Sequence, residues 1–79
     1  MDNTKDRTFQ LGRRYFPDNP HFASVTVTKV REGSIRVKTT TSLGVVSWNM
    51  VVKTDRSGVQ YATDIDTGAT YNADRFQAC

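Results

Sequence analysis

The alternation of apolar and polar side chains between Ser24 and Val52 constrains the fold more than any other feature of this sequence. Val, Ile, Thr and Trp dominate the stretch, and these residue types suit a pleated, half-buried surface. The apolar side chains recur at every second position, at Val25 and Val27, at Ile35 and Val37, and at Val46, Trp48, Met50 and Val52. A period of two predicts β-strands. We therefore expect three strands joined by two tight turns.

The turns between these strands predict their registers. A three-residue loop at 31–33, with its glycine in the left-handed conformation, would place Val27 opposite Val37. A two-residue turn at 43–44 would then place Val37 opposite Met50 on the same side of the sheet. Strict alternation would point Lys29 inward, so we expect a bulge or the sheet edge there.

The segments before this meander are less regular. Residues 1–7 alternate in charge without an apolar anchor, which predicts a flexible leader, and residues 8–79 form a single domain. The run 8–16 carries three aromatic residues and predicts a first strand interrupted at Gly12. Two prolines and two Asx residues within 17–20 predict a turn.

The segments after the meander continue the sheet. A four-residue hairpin loop at 55–58 would lead into a strand over 59–66, with Tyr61 facing the core opposite Val52. A further hairpin is expected at 66–68, bringing a last segment back against this strand.

The whole pattern predicts an all-β domain, a small SH3-like barrel of five to six antiparallel strands. The tail 72–76 is expected to form a short C-terminal helical turn that places Phe76 in the end of the barrel. An OB-like barrel is the alternative, but it usually needs a helix between strands, and no segment of the sequence supplies one.

Composition bears on the size of the core, on oligomerisation and on the cellular location of this domain. With 79 residues and 37% apolar content, the chain is near the lower size limit for a self-sufficient core, so a homo-oligomer is possible. The single cysteine, Cys79, allows no internal disulfide, which fits a cytoplasmic location. We expect neither a signal peptide nor a membrane segment, because the N-terminus is polar and no long apolar run occurs.

Two segments resemble a known pattern of short phage and actinobacterial proteins of unassigned function with SH3-like or KOW/Tudor-like barrels. The first is Gly12-Arg13-Arg14-Tyr15-Phe16-Pro17-Asp18-Asn19-Pro20 with the valines that follow it, and the second is Asn72-Ala73-Asp74-Arg75-Phe76. The resemblance implies a small barrel, and it assigns no activity because small barrels host many roles.

The segment 71–77 is also similar to the end of the plasmid-borne SH3-like dihydrofolate reductases. In those enzymes a Val-Gln-Ile-Tyr run near the closing helix lines the cofactor site. Here Val59-Gln60-Tyr61-Ala62 lies a full hairpin upstream of the end of the domain. We therefore do not expect a reductase.

No motif predicts catalysis, a metal site or a cofactor. His21 is the only histidine and no second ligand accompanies it, which argues against zinc. No serine or cysteine is paired with it at a spacing typical of a nucleophile. The run 64–68 begins like a calcium loop but lacks the third acidic residue before glycine, and we interpret it as a turn. We expect a non-enzymatic binding module.

Charge gives the best indication of a partner. Residues 1–56 contain ten Lys and Arg against five acidic residues, whereas 57–79 contain one Arg against three Asp. A basic half that coincides with the strands predicts a face that contacts nucleic-acid phosphates. The expected contact residues are Arg13, Arg14, Tyr15, Lys29, Arg31, Arg36, Lys38, Asn49 and Lys53, with Tyr15 and Phe16 as the candidates for base stacking.

Two other interpretations stay open at this point. The basic residues are also what the solvated side of any antiparallel sheet would carry. Alternatively, the chain is a phage-encoded protein-binding module that inhibits a host or defence protein, using an exposed sheet edge to accept a strand of its partner.

Overall fold

The six strands of this protein close into a small antiparallel barrel. The structure, a computed structural model, describes residues 4–77. These residues form a short helix, α1, and six strands, with bounds α1 Thr4–Arg7, β1 Arg14–Pro17, β2 Val25–Arg31, β3 Ser34–Thr41, β4 Gly44–Thr54, β5 Gln60–Thr63 and β6 Thr70–Phe76. Each strand pairs with the next, and β6 returns to pair with β1. The all-β small barrel predicted from the sequence is confirmed.

The core lies inside this barrel and is built from the alternating positions. Tyr15 and Val37 are completely buried, and Val25, Val27 and Ile35 are at most 2% exposed. Burial of each such side chain stabilises the fold by about 1.5–3 kcal/mol. The remaining buried side chains are Phe9, Pro17, Met50, Ala62, Ala69, Tyr71 and Ala73. Alternation along the central strands therefore identified the buried face correctly.

The turn between β2 and β3 is shorter than expected, and a bulge compensates for it. Arg31 pairs with Ser34, so the turn contains two residues rather than three. Gly33 adopts the expected positive φ, at 76°. The register shifts between Val27 and Lys29, close to the expected bulge, and Val27 still pairs with Val37.

The turn between β3 and β4 lies one residue earlier than expected, over Ser42 and Leu43. Thr41 pairs with Gly44, and its hydroxyl donates to the Gly44 carbonyl at 2.9 Å and accepts from the Leu43 amide at 3.2 Å. These hydrogen bonds close the turn at this point. Val37 consequently pairs with Trp48 rather than Met50. A two-residue change of register keeps every side chain on its predicted face.

The predicted register of β5 is wrong by one residue, which inverts its faces. Val52 pairs with Ala62 rather than Tyr61. The reason lies in the preceding loop, where the Asp55 carboxylate accepts hydrogen bonds from the amides of Ser57 and Val59 at 2.8 and 3.0 Å. Val59 is thereby held in the loop. Ala62 becomes fully buried, while Tyr61 moves to the outer side.

The two ends of the barrel also differ from expectation. The first strand is Arg14–Pro17 rather than 8–16, and the tail 72–76 belongs to β6 instead of forming a helical turn. The tail is extended because β6 closes the barrel, pairing Phe76 with Tyr15. Residues 4–7 of the expected leader form α1; residues 1–3 and the terminal Cys79 lie outside the described residues.

Candidate nucleic-acid interface

Cations line up across the outer side of β1–β4 in two rows. Strand pairing places Arg14, Thr26, Lys38 and Ser47 side by side in the first row. The second row contains Lys29, Arg36 and Asn49. Arg31 follows at the end of β2, where it pairs with Ser34. We call the outer surface formed by these eight residues the basic face. It contains six of the nine residues predicted as contacts, and Thr26 and Ser47 complete it.

Hydrogen bonds to β4 hold Arg36 flat on the basic face. One guanidinium nitrogen donates to the Asn49 side-chain oxygen at 3.3 Å, and the other terminal nitrogen donates to the Ser47 hydroxyl at 3.1 Å. Both acceptors are neutral, so the positive charge of Arg36 stays uncompensated. The side chain is oriented but keeps donor capacity, since a guanidinium carries five N–H groups.

The β2 bulge explains why Lys29 belongs to this surface. Because Thr28 is the extra residue, Lys29 lies opposite Arg36 instead of pointing into the core. The Thr28 hydroxyl donates to the Arg36 carbonyl at 3.2 Å and fastens the bulge to β3. Re-aiming a side chain is a common consequence of such a bulge.

Acidic side chains are absent from β1–β4 and lie elsewhere. Asp18 accepts hydrogen bonds from Asn72 and Arg75 at 2.7 and 3.3 Å. Asp55 and Asp64 accept from amides within their own loops. Within residues 4–77, no carboxylate forms a salt bridge with a cation of the basic face. The five cations of the face therefore have no salt-bridge partner among the described residues, and the nearest acidic residue in sequence is Glu32, in the turn after Arg31.

Two open grooves run along the basic face. One of about 370 Å³ is lined by Lys29, Arg31 and Arg36 together with Ser34, Ile35 and Asn49. The other, about 570 Å³, lies where β1, β2 and β3 meet and includes Arg14, Thr26, Lys38 and Thr40 in its wall. Hydroxyl and amide groups thus alternate with cations, the combination that contacts phosphate oxygens in nucleic-acid complexes.

Three of the predicted contact residues lie outside the basic face, and two of them, Tyr15 and Arg13, are engaged elsewhere. Tyr15 is completely buried, with Phe9 packed edge-on at 4.8 Å between ring centroids, so it cannot stack on a base. The Arg13 guanidinium lies 4.2 Å from the Phe76 ring centroid and 3.5 Å from an Asp6 carboxylate oxygen. Its charge is engaged in holding the N-terminal segment. Phe16 is 41% exposed and remains available for stacking.

Lys53 lies on the outer side of β4, but apart from the two cationic rows. It is four residues beyond Asn49, a distance of about 13 Å along a strand. It pairs with Tyr61, and the two line a separate groove of about 240 Å³ with Val51, Thr63 and Ile65. Sequence reasoning missed the outward position of Tyr61 because it assumed a four-residue loop at 55–58, whereas the loop before β5 contains five residues, 55–59.

The perturbed titratable groups belong to the core. Burial raises the pKa of the Tyr15 hydroxyl, partly opposed by a hydrogen bond from the Gln10 amide. Burial also raises the pKa of Tyr71, and the negative charge of Asp64 adds to this effect. Across residues 4–77, no cluster of His, Cys, Asp and Glu suited to a metal ion is present, and no helix is long and apolar enough to cross a membrane.

Comparisons of the chain with protein-family models, with curated proteins and with solved structures found no match. The basic face is therefore interpreted from its own residues.

Proposed function

We propose that this protein is a small non-enzymatic module that binds the backbone of nucleic acids through the basic face. The observation that carries the proposal is the pair of cationic rows on β1–β4, which contain Arg14, Lys29, Arg36 and Lys38 and which no described carboxylate neutralises. A surface of this kind attracts a polyanion and releases its condensed counterions on binding.

The arrangement favours backbone contact over base reading. The cations lie on a sheet surface of short, paired strands, and Arg36 is held flat by Asn49 and Ser47. A guanidinium in that position can donate to a phosphate oxygen lying on the sheet. Contacts of this kind fix a nucleic acid on the surface without selecting its sequence.

The test is a fluorescence-anisotropy titration with labelled oligonucleotides across a range of salt concentrations. If the five cations of the basic face each contact a phosphate, the logarithm of the association constant falls against the logarithm of the salt concentration with a slope of about −4.5. Arg36→Gln with Lys38→Gln is expected to reduce this slope by about 2 units.

The matched control is Arg7→Gln with Arg56→Gln, which removes the same charge at two exposed positions away from the basic face. Equal losses in the two double variants would show that only net charge matters, and would contradict a localised interface. A wild-type protein that binds no oligonucleotide at near-physiological salt would refute the proposed function.

A second candidate function is a protein-binding module, which one specific feature favours. β4 pairs with β5 only through Val51–Thr54, so within the described chain its first part, 44–50, is paired on the β3 side alone. Successive residues of an antiparallel strand direct their backbone N–H and C=O groups to alternate sides. The backbone groups of Val45, Ser47 and Asn49 therefore point toward this open edge. An extended segment of another protein, such as the host or defence protein expected above, can add there as a strand.

Strand addition at the open edge of β4 can be tested with two variants of Ser47 after a protein partner has been identified. Ser47→Pro removes an edge N–H without breaking the pairing to β3, whereas Ser47→Ala removes only the hydroxyl. Loss of partner binding in Ser47→Pro with retention in Ser47→Ala would favour strand addition. Equal binding by both variants would exclude it.

A further inference from the structure

The hairpin that joins β3 to β4 projects beyond the barrel as a two-stranded arm. Near the base of the arm, the Thr39 hydroxyl donates to the Ser24 carbonyl at 2.9 Å. Beyond this point residues 40–46 are exposed on both faces of the hairpin. Leu43, in the turn, lies four residues further on, about 13 Å along the strand. The greatest dimension of the molecule, 41 Å against 27 and 24 Å, agrees with such an extension.

Three apolar side chains near the tip of this arm lie in solvent. Leu43 is 98% exposed, Val45 66% and Val46 48%. Neighbouring apolar side chains exposed together mark a contact surface more often than isolated ones do. The tip is also the part of the hairpin furthest from the core, so these side chains contribute little to folding. We infer that they contact a partner.

Charge indicates what kind of partner the arm meets. From Ser34 to Thr54 the sequence contains no acidic residue. The root of the arm carries Lys38 on β3, with Arg14 in the same row across the sheet. The 570 Å³ groove beneath the arm contains both cations. Exposed apolar side chains near the tip, with cations at the base of the arm, are complementary to a partner that has an anionic surface and an apolar interior. A nucleic-acid duplex, with phosphates outside and stacked bases inside, has this arrangement.

The available side chains favour duplex DNA over other nucleic acids. Single strands are usually held by several exposed aromatic platforms, and with Tyr15 buried only the partly exposed Phe16 is left of the two stacking candidates. Duplex RNA offers a wide, shallow minor groove that is read through its hydroxyls. Residues 39–46 contain no Arg, Lys, Asn or Gln, so the arm has no side chain of the kinds that commonly read base edges by hydrogen bonds. Apolar wedges such as Leu instead enter base steps from the minor groove of DNA and kink it.

We propose that the hairpin arm enters the minor groove of duplex DNA and that Leu43 inserts between base pairs, bending the duplex while Lys38 and Arg14 contact the flanking phosphates. This inference rests on the proposed function and deepens it, because it names the substrate as duplex DNA and adds a bending activity. Insertion of this kind bends a duplex by about 20–90°.

The experiment measures bending and binding separately. A duplex of roughly three helical turns carries a donor dye at one end and an acceptor at the other, and energy transfer is recorded at saturating protein. The wild type is expected to raise the transfer efficiency. Leu43→Ser is expected to abolish the rise and to weaken binding about tenfold, as loss of a buried leucine contact implies.

The matched control is Ile65→Ser, a similar substitution at a side chain that is 91% exposed and lies in the β5–β6 loop. This variant is expected to bind and bend like the wild type. Because Leu43 and Ile65 are both exposed, neither change should affect folding, and the circular dichroism spectra check this.

Several outcomes would overturn the inference. Binding of the wild type to the duplex without bending, or bending that survives in Leu43→Ser, contradicts insertion while leaving backbone binding intact. Tighter, Leu43-dependent binding to single strands or to vesicles of anionic phospholipid would assign the arm to a different partner. Absence of binding to any oligonucleotide would instead refute the proposed function itself.

Discussion

Replacing Tyr15 with phenylalanine tests the assignment of this residue to the core. Its hydroxyl accepts a hydrogen bond from the Gln10 amide at 2.7 Å and approaches the Thr8 carbonyl at 3.4 Å. The first contact has the short distance of a strong hydrogen bond, and the second is long for an O–H donor. Tyr15→Phe therefore leaves mainly one backbone N–H without its partner.

The cost of this change follows from the burial of the groups involved. A buried donor left without a partner costs about 1–3 kcal/mol, and the Gln10 region is only half-buried. We expect a loss of about 1–2 kcal/mol in the free energy of unfolding. For a domain of this size, that corresponds to a fall in Tm of about 4–16 °C.

Thermal unfolding is followed by circular dichroism and by the fluorescence of Trp48, the only tryptophan in the chain. Tyr71→Phe is the matched control, because its hydroxyl donates to the carbonyl of the exposed Ala23 at 2.8 Å, and water can replace that donor. A Tm for Tyr15→Phe equal to that of the wild type, or a larger loss in Tyr71→Phe, would refute this account of the N-terminal anchor.

Three further predictions concern the fold. Folded-state pKa values of Tyr15 and Tyr71 lie above the ordinary value of 10, so their contribution to stability is intact below pH 10 and is lost as pH rises through those values; Tm measured from pH 8 to 11 should fall less steeply in Tyr15→Phe. Gly33→Ala, at φ 76°, should cost about 1–2 kcal/mol in urea denaturation. Ala62→Lys should abolish folding, as measured by circular dichroism, while Tyr61→Lys is tolerated. The opposite result would favour the register predicted from the sequence, in which Tyr61 faces the core opposite Val52.

The central sheet could be predicted from sequence because the one-residue error in the β2–β3 turn was offset by the bulge in β2 and the error at the β3–β4 turn was of even size. The β3–β4 turn moved the pairing of Val37 from Met50 to Trp48, two positions along β4, and a two-residue change keeps the faces of a strand. Arg36 and Lys38 therefore stayed on the outer side, where the alternation had placed them. The candidate site was predictable to that extent.

The positions of β5 and Tyr61 could not be predicted in the same way. A one-residue difference in loop length inverts a strand, and the loop was set by hydrogen bonds of the Asp55 carboxylate. Hydrophobicity favoured Tyr61 as the buried residue, whereas the interior of so small a barrel accommodates Ala62 opposite Tyr71. The limited space inside the barrel therefore decided which of the two residues is buried, although Tyr61 is the more hydrophobic.

The burial of Tyr15 and the extended tail depend on contacts between distant parts of the chain. Tyr15 pairs with Phe76 where β1 meets β6, and neither local pattern contains the other. The sequence 72–76 resembles a helical turn when considered alone. Closure of the barrel makes it a strand, with Asn72 held by Asp18 across the seam.

The most direct test of the central claim is to map the interface by two-dimensional ¹H–¹⁵N NMR while a short DNA duplex is added at near-physiological salt. The account predicts that the largest chemical-shift changes fall on Thr26, Arg36, Lys38 and Ser47, with little change in the loop 64–68. Changes that concentrate on β5 and β6, or that leave the basic face unaffected, would contradict it.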